Sequence, residues 1–198
     1  MSKRVGFNIF KWTVYGLLAL NTYFFLRTEE TLTEFLDSAA WLVLLGVMEY
    51  ESSSLDSDYD GPWERRAVIA ANVFAYAVIV YAWIGYFREE DWVDAINATG
   101  WLGVCAVLLY QMYAPGDYEG AEKTIVNGLK IALYGVLVGC ALWWTWDASK
   151  PLDAIDAWLW LVCFAVIEMN VFGFEQASPA PEAVAARADD AQAGDRAS

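Results

Sequence analysis

The chain has 198 residues, is 58% apolar and 16% aromatic, and carries a formal net charge of −14. Ordinary soluble domains are about 45–50% apolar, and here the excess is arranged in blocks, which is a membrane signature. The acidic balance argues against nucleic acid and against an anionic membrane surface as partners, and a chain without histidine lacks the usual metal ligand, haem ligand and proton shuttle.

The chain opens MSKRVGFNIFKW, like the start of a signal peptide. The apolar segment then continues through TYFFL without a small-x-small cleavage site, so an uncleaved first helix is expected. From Phe7 to Leu26 it carries a single charge, Lys11. The second segment, Ser38 to Met48, is an uncharged run of eleven residues between Asp37 and Glu49. A helix from near Thr31 to near Ser52 would cover about 22 residues, or ~33 Å, enough to cross if its terminal acids sit at the interfaces. The loop YESSSLDSDYDGPWERR alternates Asp56, Asp58 and Asp60 but lacks the downstream glutamate of a calcium loop, so no metal is expected there.

Ala67 to Phe87 and Ala95 to Gly116 contain no charge at all, and each exceeds the roughly 20 residues a spanning helix needs. Thr124 to Trp146 carries only Lys130, and Ala157 to Phe174 carries only Glu168. Cys105, Cys140 and Cys163 fall inside these segments and read as small packing residues, with neither metal spacing nor a disulfide framework. Residues 178–198 are rich in Ala, Pro and Asp without apolar periodicity, as in a disordered cytoplasmic tail.

An internal repeat organises these segments. WLVLLGVMEYE from Trp41, WLGVCAVLLYQ from Trp101 and WLVCFAVIEMN from Trp160 align without gaps. Four residues before each tryptophan stand Asp37, Asn97 and Asp156; seven before stand Glu34, Asp94 and Asp153. The alternate segments align on Tyr15, Tyr76 and Tyr134. The expectation is an all-α integral membrane protein. Its six transmembrane helices form three tandem antiparallel hairpins (about 5–52, 64–115 and 122–175) within one domain, residues 1–177. Lys3, Arg4, Lys11, Arg65, Arg66, Lys123 and Lys130 lie near one set of helix ends, and Arg27, Arg88 and Lys150 near the other. That bias predicts a multi-pass cell (inner) membrane protein with both termini cytoplasmic.

Ionisable groups inside a span cost about 2.5–3.5 kcal/mol on insertion scales and mark candidate functional sites. Lys11 and Glu49 are each 19 residues from Glu30, and Lys130 and Glu168 are each 19 from Ser149. Equal counts mean equal depth in an antiparallel hairpin, so each lysine is expected level with its glutamate. Tyr15 and Tyr134 lean toward these lysines. In the middle hairpin both members are replaced together, by Asn72 and Leu109. The pairs read either as pins of hairpin register or as a proton or cation pathway.

Glu34, Asp37, Asp94, Asp153 and Asp156 lie near helix starts, where acids face the positive end of the helix dipole. Alternatively they form an external ring that concentrates cations. The stripe Gly128, Ala132, Gly135 and Gly139 permits close helix approach. It suggests that the odd-numbered helices are the inner ones; an oligomer or membrane-partner face at Gly135 and Gly139 is the other use of such a stripe. Trp143, Trp144 and Trp146 are placed as an interfacial belt. No nucleophile–base pair or metal set is visible, so neither an enzyme nor a cofactor is expected. Two readings follow, each in contact with the lipid bilayer: a small proton- or cation-conducting transporter or channel-like protein, and a non-catalytic accessory or scaffold subunit of a larger membrane complex.

Overall fold

The computed structural model describes residues 3–28, 32–53, 61–113 and 120–177. They form six helices: α1 (Lys3–Arg27), α2 (Leu32–Ser53), α3 (Pro62–Arg88), α4 (Trp92–Tyr113), α5 (Ala121–Trp146) and α6 (Pro151–Ala177). Thr31, the loop acids Asp56, Asp58 and Asp60, and the tail from 178 lie outside the described residues. By length and composition, α3, α4 (as Trp92–Gln111) and α5 are apolar enough to cross a membrane. The chain divides into a unit of residues 1–161 and a second of 162–198. What is described of the second is the helical C-terminal part of α6, up to Ala177.

Local chemistry explains the boundaries. Pro62 opens α3, where its missing N–H costs nothing. Asp91 caps α4 by accepting the Asp94 N–H at 3.4 Å. Gly120 adopts φ 64° ahead of α5, a left-handed conformation that glycine accepts without strain. Between α5 and α6, Asp147 Oδ1 accepts the Ser149 N–H at 3.1 Å and the Ser149 hydroxyl at 2.7 Å, and Pro151 starts the next helix.

In the first unit, Leu18, Ile79 and Leu137 are among the largest fully buried side chains, each three residues after an aligned tyrosine. Seven residues further on, Phe25, Tyr86 and Trp144 are buried as well. Trp144 therefore differs from the belt expected of it, whereas Trp143 and Trp146 are exposed. On the even helices Trp41, Trp101 and Trp160 are buried, with the Trp41 ring 6.2 Å from Trp101 and 6.1 Å from Trp160. Thus α2, α4 and α6 turn their tryptophans toward a common centre.

The odd helices lie between them around the outside. Thr22 and Ser38 hydroxyls meet at 2.7 Å between α1 and α2. The Trp83 indole donates to Thr99 at 2.8 Å between α3 and α4, the Trp158 indole to Thr145 at 3.0 Å between α5 and α6, and Asn21 on α1 to Asp156 on α6 at 3.0 Å.

This arrangement corrects the expectation that the odd helices are innermost. A Cβ added at Gly128, Gly135 or Gly139 would meet open space. The close approaches are elsewhere. A Cβ at Gly85 would lie 2.9 Å from Thr33, at Gly100 2.9 Å from Leu137, and at Gly103 2.8 Å from Leu133. Small residues record close contact only where a neighbour is present, and α5 packs through its leucines onto glycines of α4.

Large apolar side chains are exposed as well as buried, and a few polar side chains lie inside an otherwise apolar core. Phe74 is 67% exposed, Ile131 73% and Val73 64%, while Asn21, Thr22, Thr33, Ser38, Asp94 and Asp153 are buried. Exposed apolar surface of this kind is compatible with hydrocarbon around the three apolar helices.

Candidate functional site

The polar interior is concentrated at the end of the bundle that carries the turns α1–α2, α3–α4 and α5–α6. There the first turns of the three even helices converge on a cavity of about 40 Å3, room for about two or three waters. Its lining includes all five acids singled out in the sequence, Glu34, Asp37, Asp94, Asp153 and Asp156, with Asn97 completing the set.

Helical spacing sorts these groups into layers. Glu34, Asp94 and Asp153 form the mouth. Asp37, Asn97 and Asp156 stand three residues deeper, ~4.5 Å along the axis, and the tryptophans a further four, ~6 Å. The three indoles close the chamber from below.

The inner layer is only partly hydrogen-bonded. Asp37 accepts the Trp41 indole N–H at 3.1 Å and the Tyr86 hydroxyl at 3.2 Å. Asp156 accepts the Asn21 amide at 3.0 Å. Asn97 Oδ1 is buried and accepts nothing among the described residues. Buried polar atoms are normally satisfied, so this oxygen is an acceptor available to the chamber.

At the mouth one ammonium serves several carboxylates. Lys150 Nζ lies 2.6 Å from Asp91, 3.0 Å from Asp94, and 3.6 Å from both Glu34 and Asp153. Glu34, Asp94 and Asp153 offer oxygens within 4.8 Å of one another, a grouping that suits a cation. Partial burial opposes charging of Lys150, but its hydrogen bond to Asp91 and the carboxylates of Asp94 and Asp153 outweigh that and raise its pKa. Partial burial likewise works against the Asp91 carboxylate, and the Lys150 hydrogen bond overcomes it, holding Asp91 below its ordinary range.

The opposite end holds a simpler group. Lys11 and Glu49 form an ion pair, and the Tyr15 hydroxyl donates to the other Glu49 oxygen at 3.3 Å. Equal residue counts from the turn had placed these side chains level. Tyr134 stacks edge-on against Trp101 at 6.5 Å, and Lys130 is half-buried on α5. The side chain of Glu168 lies outside the described residues, so the second expected pair has no described geometry. In the middle hairpin Asn72 is half-buried and Leu109 exposed.

Lys150, Tyr86 and Asn21 were not among the site residues read from the sequence. Lys150 had a local signal, standing three residues before Asp153 on the edge of a helix. The two donors had none, because each reaches an acid on another hairpin. No family model matches the chain, and no curated protein or solved structure does either.

Proposed function

We propose that this chain is a six-span membrane protein built of three tandem helical hairpins that takes up protons or a small cation into a central acidic chamber. The observation that carries the reading is the chamber itself. Acids from all three even helices line one small cavity inside a bundle that exposes many large apolar side chains. Charges inside a membrane domain are costly and are retained where they handle ions. Similar burial at aligned positions, such as Leu18, Ile79 and Leu137, supports three equivalent hairpins. The turn end would then be external and both termini cytoplasmic, following the lysine and arginine bias.

In this reading Glu34, Asp94 and Asp153 attract the cation, and Asp37, Asp156 and Asn97 receive it as oxygen ligands. The Trp41–Trp101–Trp160 layer separates the chamber from the cytoplasmic half, where the Lys11–Glu49 pair with Tyr15 stands on the far side. Passage would require that layer to shift; uptake without passage would not.

The test is flux of protons, sodium and potassium into proteoliposomes. Flux above that of empty vesicles, lowered about tenfold or more by Asp37→Asn with Asp156→Asn, is the expected result; each tenfold corresponds to about 1.4 kcal/mol of lost stabilisation. Flux equal to that of empty vesicles removes the reading.

A second reading, an accessory or scaffold subunit, is favoured by the open face of α5. Gly135 and Gly139 are exposed with space beside them, and such stripes let a neighbouring helix approach. Strictly monomeric protein in mild detergent with no co-purifying membrane partner would count against it.

A further inference from the structure

The chamber and the lysine above it share their carboxylates. Glu34, Asp94 and Asp153 line the cavity, and each also lies within 3.6 Å of the Lys150 ammonium. Asp91, from the α3–α4 turn, makes the shortest of these contacts at 2.6 Å. The ammonium therefore touches groups from all three hairpins and stands where they converge. Its side chain is only 30% exposed, although it belongs to the short α5–α6 turn, a position where lysine usually extends into water.

We infer that Lys150 is a tethered cationic stopper, whose ammonium closes the turn end of the chamber and must move aside before anything enters. The inference rests on the reading of the chamber as the functional site and adds its regulation. Three features support a movable stopper rather than a fixed tie. Four carboxyl groups share one ammonium, so they can offer oxygen ligands to a cation that takes its place. A lysine has four rotatable side-chain bonds and swings out without backbone change. A cation arriving between the acids would come within a few ångströms of the ammonium and be repelled by it, so occupancy by Lys150 and by an incoming cation are mutually exclusive. Nothing else among the described residues places a positive charge at this mouth; the neighbouring turn bases, Arg27 and Arg88, are exposed.

The experiment measures access, without reference to transport. Asn97→Cys places a thiol in the inner layer, in a background with Cys105→Ala, Cys140→Ala and Cys163→Ala. The full-length protein in proteoliposomes is treated with a small neutral methanethiosulfonate. Labelling is expected to be slow with Lys150 present and about tenfold or more faster in Lys150→Gln, because removing the ammonium shifts the population toward open chambers. Lys150→Arg should remain slow. Glu34→Gln with Asp91→Asn keeps the lysine and loosens two of its anchors, and should give an intermediate rate. Val104→Cys, buried outside the chamber lining, should stay slow in every form.

Equal rates for Lys150 and Lys150→Gln overturn the inference. So does equal acceleration at Val104→Cys, since Lys150 would then be a structural tie whose loss loosens the whole bundle. Faster labelling in Lys150→Gln with no flux in the transport assay keeps the stopper and removes the transport reading. Flux with unchanged labelling does the reverse.

Discussion

The two ends of the bundle bury charge in different ways. At one end Lys11 meets Glu49, one cation to one anion, with Tyr15 donating to the second carboxylate oxygen. At the other, four carboxylates gather about Lys150 and two more, Asp37 and Asp156, lie beneath. A balanced pair matches one cation to one anion and carries no net charge. An unbalanced cluster holds more carboxyl groups than cations and has a cavity beside it. The first arrangement suits fixing a hairpin's register; the second suits exchange. Trp41, Trp101 and Trp160 lie between the two.

The comparison is broken most severely at that dividing layer. Trp41→Ala removes the ring that touches both other indoles, and a large-to-small change of this kind costs about 3–5 kcal/mol. Unfolding in mixed micelles should show it, and a loss below ~1 kcal/mol would mean that the layer is not packed as described.

The balanced pair gives the next largest effect. Lys11→Met leaves Glu49 without its ammonium partner and keeps the Tyr15 hydroxyl donor. Removing one partner of a fully buried pair costs about 3–5 kcal/mol; with about a fifth of each side chain exposed, the expected loss is on the order of 2 kcal/mol. Lys11→Met with Glu49→Gln should recover most of it. A double variant as unstable as the single one would show that the two side chains are not coupled.

The inner layer of the chamber sharpens the contrast from within. Asn21→Ala strips Asp156 of its amide donor, and an acid left short of a partner costs about 1–3 kcal/mol. Asn97→Ala removes a group that makes no described hydrogen bond through its oxygen, and should cost less. The reverse ranking, measured in the same micelles, would mean that Asn97 is the better satisfied of the two.

The smallest effect is electrostatic and depends on pH. Asp91 has a depressed pKa, so its ionised form contributes stability above the ordinary carboxylate value, and that contribution is lost as pH falls through the lower folded value. Asn caps helices as well as Asp does, so Asp91→Asn isolates the charge. The difference between wild type and Asp91→Asn should be constant across neutral pH and close below about pH 4. A difference that widens in acid contradicts the Lys150 contact.

Much of this layout was legible in the sequence because it depends on counting. Equal distances from the turn put Lys11 level with Glu49, and the gapless alignment put Trp41, Trp101 and Trp160 at one depth. The same alignment gathered the five chamber acids. What counting does not supply is the direction a helix faces. In a membrane the outer surface is as apolar as the core, so the amphipathic signal that orients a soluble helix is missing. The glycine stripe of α5 was therefore assigned inward, and it faces out. The acids were the better guide, since all five line one cavity. Lys150 was read as one of three turn charges. Its role arises from reach: a long side chain at a turn connects to hairpins hundreds of atoms away along the chain.

The tryptophan layer has an optical consequence. Indole rings about 6 Å apart exchange electronic excitation faster than they emit, so light absorbed by Trp101 or Trp160 is shared with Trp41. The trio is close enough to couple as a chiral chromophore beneath the chamber, and the near-ultraviolet circular dichroism difference between wild type and Trp41→Ala isolates its share from that of the other tryptophans.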